Sequence, residues 1–169
     1  MPKVTYSPGD VLAAADVNDF CQEGFVANSS LDTTAGEPGG AWVSYTPTVT
    51  GISNTTATGA YCKLGKTVFF RAKVLLTASS SVTATPEISL PLASATNVVS
   101  PSFEVRLVDE NLLRWYAGQG VEINADAISI YALLASATYA YGAAVTSAIP
   151  FTWTTDDYIE LSGTYETSA

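Results

Sequence analysis

Histidine is absent from this 169-residue chain, cysteine occurs twice, and charged residues make up only 14% of it. Without histidine there is no Ser/His/Asp or Cys/His arrangement, and the commonest general base and metal ligand is missing. Cys21 and Cys62 are too few to define a disulfide framework, and no neighbour beyond Lys63 lies beside either to activate a thiolate. They read as small apolar residues.

Positive charge is scarce as well, with 7 Lys and Arg against 16 Asp and Glu and a net charge of −9. Nucleic-acid binding depends on Lys and Arg displacing counterions from phosphates, so that class is excluded as an expectation. Lys63, Lys66, Arg71 and Lys73 cluster, and no cation follows Arg114. Charge is what usually covers a soluble monomer, at about 25% of residues. Its shortage here predicts that neighbouring subunits cover part of the surface.

Long hydrophobic runs are lacking too. Residues 127–155 carry no charge, but Ser, Thr, Tyr and Gly dilute them, Gly142 and Pro150 interrupt them, and no Lys or Arg flanks them. We expect no membrane-spanning helix there. Met1-Pro2-Lys3-Val4 leads into polar residues instead of an apolar run, so no secretory signal is expected, and synthesis in the cytoplasm follows. No solenoid-period repeat is present.

The residues that are there suggest two parts. Between Asp10 and about Asn28, Val17, Phe20, Cys21 and Gly24 follow helical spacing, with Phe25 one position further; with Leu12 they form a narrow apolar stripe. So short a helix is marginal alone, which predicts that the stripe of Leu12, Val17, Phe20, Cys21 and Phe25 docks on a partner. A polar stretch ending in Glu37-Pro38-Gly39-Gly40 then reads as a linker, giving an arm over residues 1–40 and a body over 41–169.

In the body the period changes to two. Val68, Phe70, Ala72 and Val74 alternate with Arg71 and Lys73. Phe103 to Leu107, a turn at Asp109-Glu110-Asn111 and the run from Leu112 to Tyr116 read as a hairpin. Ile159, Leu161, Gly163 and Tyr165 alternate in a closing strand. The fold expected is mainly β, an antiparallel, jelly-roll-like β-sandwich with a short N-terminal helical arm.

Chemistry is sparse in this pattern. Asp156-Asp157 with Glu160, and Asp109-Glu110, have the residue types for glycoside hydrolysis, but both groups read as solvated turns. No Asp-x-Asp-x-Asp-Gly loop offers a Ca²⁺ site, and no catalytic residue, metal or cofactor is expected. Aromatic residues are 11% of the chain. Trp115, Tyr131, Tyr139 and Tyr141 are candidates for stacking on a sugar, although packing or subunit contact explains such residues more often.

Three stretches carry a resemblance. Tyr6-Ser7-Pro8-Gly9-Asp10-Val11-Leu12-Ala13-Ala14-Ala15-Asp16-Val17-Asn18 resembles the N-terminal arm of small bacteriophage virion structural proteins, with Ala13 where the family often has a Thr helix cap. Trp42 to Gly51 and Gly59 to Phe70 resemble the first strands of their β domain, and Ile149 to Trp153 with Ile159 to Glu166 its closing strands. The middle of the body carries no matching motif. The resemblance implies a non-enzymatic protein on the particle exterior: a head-decoration, head-fibre, minor tail or tail-fibre protein. It also implies a homo-oligomer, a trimer in many relatives, whose arm docks on the major capsid or tail protein. The alternative expectation is a lectin-like receptor-binding module of a tail fibre or tail tip that recognises a host-surface glycan.

Overall fold

The structure, a computed structural model, describes residues 42–78, 82–95 and 101–167. They form β1 (Val43–Tyr45), β2 (Val49–Ile52), β3 (Thr55–Leu64), β4 (Thr67–Leu76), β5 (Val82–Ser89), β6 (Ser102–Asp109), β7 (Arg114–Asn124), β8 (Ala127–Ala135), β9 (Ala140–Ala144) and β10 (Tyr158–Glu166). All pairings among named strands are antiparallel, in the order β1-β3-β4-β10-β6-β7-β8-β5-β2, with β9 also on β8.

The period-two alternation decides which face is buried. In β4 the inward Val68, Phe70, Ala72, Val74 and Leu76 are buried, while Phe69 and Arg71 between them are exposed. In β10, Ile159 lies between Val74 and Leu107, and Leu161 between Ala72 and Val105. Ile128, Ile130 and Ala132 of β8 and Ile88 of β5 continue the same core. Each such large side chain stabilises the fold by about 1.5–3 kcal/mol through burial. Phe70, Phe103 and Tyr165 meet edge to face, with ring centroids 5.3–6.2 Å apart. The Tyr165 hydroxyl donates to the Leu92 carbonyl (2.8 Å) and accepts from the Leu92 N–H (3.1 Å), fastening the segment after β5. Burial pushes its phenol up to about 12, against the lowering effect of that backbone contact.

The body is mainly β and antiparallel, as expected, and the expected faces of β4, β6 and β10 are the observed ones. The two packed sheets of a sandwich are replaced by one sheet curled into a half-barrel. The reason is β10, which pairs with β4 on one side and β6 on the other and leaves no gap at which two sheets would separate. Gly163 lets the Phe103 ring lie against β10: a Cβ there would lie 2.5 Å from Cδ1 of Phe103. The loop between β9 and β10, which contains the cis Ile149–Pro150 peptide, sends Val145, Phe151 and Trp153 into the core. Trp153 Nε1 donates to the Thr146 carbonyl (3.0 Å).

The structure gives the expected helical arm no support: no helix occurs among the described residues, and residues 10–28 lie outside them. The carboxylates expected on solvated turns also divide. Glu160 sits within β10, Asp157 is fully buried, and Asp109 ends β6 and is buried as well.

Candidate functional site

Two surface features stand out. The first is the hairpin tip between β6 and β7, built on the polar turn Asp109-Glu110-Asn111. Asp109 Oδ1 accepts from the Leu112 N–H (3.0 Å), and the Leu113 N–H reaches the Glu110 carbonyl (3.3 Å). Asp157, from the turn before β10, reaches across: its Oδ1 accepts from the Glu110 N–H (3.0 Å), and its Oδ2 from the Thr154 N–H (2.6 Å) and hydroxyl (3.1 Å). Asn111 Nδ2 donates to the Thr154 hydroxyl (2.6 Å). Two distant turns are thus tied into one polar knot.

What the knot holds out is apolar: Leu112, Leu113 and Trp115 are 59%, 81% and 67% exposed. Leu113 has φ +51°, a left-handed conformation that costs a non-glycine residue about 1 kcal/mol. Since its side chain buries little, Leu113→Gly is expected to leave stability unchanged or raise it by about 0.5 kcal/mol in urea unfolding. A loss above about 1 kcal/mol would show that Leu113 packs against the body in solution.

The second feature is a groove of about 530 Å³ on the outer face across β3, β4, β10 and β6. The registers line up Thr58, Lys73, Glu160 and Arg106 in one row and Ala60, Arg71, Ser162 and Glu104 in the next. Arg106 and Glu160 form an ion pair, and that contact holds the guanidinium pKa above its ordinary value. Arg71 Cζ lies 4.6 Å from the centroid of the Trp42 ring, and Lys73 Nζ lies 3.6 Å from that of Tyr158. The groove offers guanidinium and ammonium donors beside carboxylate and hydroxyl acceptors, a surface suited to pairing with charged groups. No cluster of three His, Cys, Asp or Glu suited to a metal occurs among the described residues.

The candidate glycan residues do not gather. Tyr139 and Tyr141 meet edge to face at 6.2 Å, both exposed. Tyr141 pairs with Leu134, whereas Tyr131 pairs with Ala144 and Gln119, so alternation puts Tyr131 on the opposite face. Trp115 belongs to the hairpin tip, opposite Val108. The arm residues Leu12, Val17, Phe20, Cys21 and Phe25 lie outside the described residues. Sequence reasoning missed Leu112 and Leu113, although two adjacent leucines after a polar turn break strand alternation and were a visible signal. It also missed the groove partners Glu104 and Arg106, whose place depends on pairing through β10.

No helix among the described residues is long and apolar enough to cross a membrane. Comparisons with protein-family models, with curated proteins and with solved structures each found no match.

Proposed function

We propose that the protein is a non-enzymatic structural protein of a phage virion. In this reading it is an oligomeric, trimeric exterior subunit held on the capsid or tail by its N-terminal arm, as a decoration, head-fibre or minor tail protein. The observation that carries the reading furthest is the hairpin tip, where a hydrogen-bonded knot spends its polar groups on presenting Leu112, Leu113 and Trp115 to the outside. Exposed Ile123 of β7 and Leu133 of β8 add to the apolar surface. Exposed apolar side chains of this kind mark contact with a partner, and the resemblance of the arm and strands to phage structural proteins supplies the kind of assembly.

The arm is the part that tests the reading. Phe20→Asp places a charge in the stripe of Leu12, Val17, Phe20, Cys21 and Phe25. The expected result is particles that lack the protein, with the circular dichroism of the free variant unchanged. Wild-type copy number on mutant particles would overturn the assignment. Locating and counting the protein on intact particles by electron cryo-microscopy then separates capsid decoration, with many symmetry-related copies, from a tail role with few.

A second reading, a glycan-binding module, is favoured by the exposed Tyr139–Tyr141 pair at 6.2 Å. Binding on a glycan array that is lost in Tyr139→Ala would support it, and a silent array would retire it.

A further inference from the structure

β9 is hydrogen-bonded on one side only, to β8, and no described strand lies along its other side. The Ser136 N–H donates to the Tyr139 carbonyl (2.8 Å), which fixes the phase of the ladder. Main-chain groups of Tyr139, Tyr141 and Ala143 therefore face β8, and those of Ala140 and Gly142 face outward. Ala140, Tyr141 and Gly142 are all exposed, so the outward groups meet water. An open ladder of this kind is a template for another strand, and sheets blunt such edges with Lys, Pro, bulges or shortness. The two end strands are blunted in this way: β1 has three residues, and β2 is irregular between Thr50 and Ile52. β9 carries no charge, proline or bulge.

Charge and size select what pairs there. At a net charge of −9 two copies of the chain repel, yet no charged residue occurs between Asp126 and Asp156, the stretch that holds β8 and β9. A second copy meets least opposition at this edge. Turned antiparallel on itself about Tyr141, β9 also matches its own pattern. Ala140 falls opposite Gly142 of the second copy and Gly142 opposite its Ala140, and each pair exchanges both N–H···O bonds. The two Tyr141 residues then face each other at the close, non-hydrogen-bonded position, with Cα atoms about 4.5 Å apart. Each Tyr139 falls opposite an Ala143, whose small side chain leaves room for the ring. Tyr139 and Tyr141, 67% and 46% exposed, share one face of the strand and become the covered centre of the contact.

We propose that β9 pairs antiparallel with β9 of a second copy across a two-fold axis at Tyr141, extending the sheet from one chain into the next. The contact rests on β9 and not on the virion reading: alone it makes a dimer, and between three-fold assemblies it joins one to another.

Amide exchange of the full-length protein with a charge swap at the axis tests the pairing. In Tyr141→Lys or Tyr141→Glu a charge faces its own kind across the axis. Each variant alone should exchange its Ala140 and Gly142 amides about tenfold or more faster than wild type at the same millimolar concentration. An equal mixture places Lys opposite Glu and should restore protection, while the Ile130 amide in the buried β7–β8 ladder stays slow throughout. Wild-type Ala140 and Gly142 amides that exchange as fast as those of the variants would overturn the proposal. Protection that the mixture does not restore would overturn the two-fold and assign the edge to a different strand. Photo-oxidative dityrosine crosslinking of the wild type gives a second measurement that needs no variant. The expected product joins two copies of the peptide containing Tyr141, and its absence from protein at millimolar concentration would also overturn the pairing.

Discussion

Asp157→Ala is expected to cost about 3–5 kcal/mol of stability, a large loss for one side chain at a turn. The carboxylate is fully buried and accepts from the Glu110 N–H, the Thr154 N–H and the Thr154 hydroxyl. Removing it strands two part-buried backbone donors, each worth about 1–3 kcal/mol, and opens a small cavity. Asp157→Asn keeps the shape but replaces one oxygen by a donor facing N–H groups, so it should recover only part of the loss. Urea unfolding of both variants gives the measurement. A change below about 1 kcal/mol in Asp157→Ala would mean that water takes the carboxylate's place. Because the same residue ties the β6–β7 tip to the turn before β10, backbone amide exchange at Glu110 to Leu113 should also rise in the alanine variant.

The second large effect lies in the core. Phe103→Ala should destabilise by about 3–5 kcal/mol, since the ring is 1% exposed and meets both Phe70 and Tyr165. Gly163→Ala should cost about 1–3 kcal/mol, because the added methyl collides with the same ring. Together the two substitutions should not add. Once the ring is gone, the alanine at 163 enters space it has vacated, so the double variant should be no less stable than Phe103→Ala alone. A double-mutant cycle by urea unfolding measures this coupling. Strict additivity would show that Gly163 matters for backbone conformation and not for ring contact.

These two cases show what could be read in the sequence and what could not. The faces of β4 and β10 were legible because a half-buried strand writes its burial in period two, and Val68 to Leu76 and Ile159 to Tyr165 do so plainly. A turn after β6 was legible from the residue types, although it spans 110–113 and β7 begins at Arg114, two residues later than expected. Its knot with Asp157 was not, because that partner arrives from a turn far along the chain. β8 was obscure for a different reason: Ile128, Ser129 and Ile130 are all buried, so alternation fails where the strand is covered on both faces. The curl into a half-barrel depends on which strands β10 joins, a nonlocal choice that period two does not record. The groove has the same character. Arg71 and Lys73 were visible as outward residues of one strand, but Glu160 and Arg106 become their neighbours only through β10.

The position of β10 also bears on how the chain reaches this structure. β1, β3 and β4 lie on one side of it and β6, β7, β8, β5 and β2 on the other, so the last made of the described strands is the one that joins them. A nascent chain emerging from the ribosome has both flanks available but lacks the seam, and Val74 and Leu107 have no Ile159 to separate them from water. Completion therefore waits for synthesis to pass Glu166, and the contacts then formed have large sequence separation, which slows folding. During that interval the exposed edges of β4 and β6 are open to pairing with other chains. Rapid production of many copies in one cell would lengthen the exposure in aggregate, so lowering the growth temperature or slowing translation should raise the soluble yield.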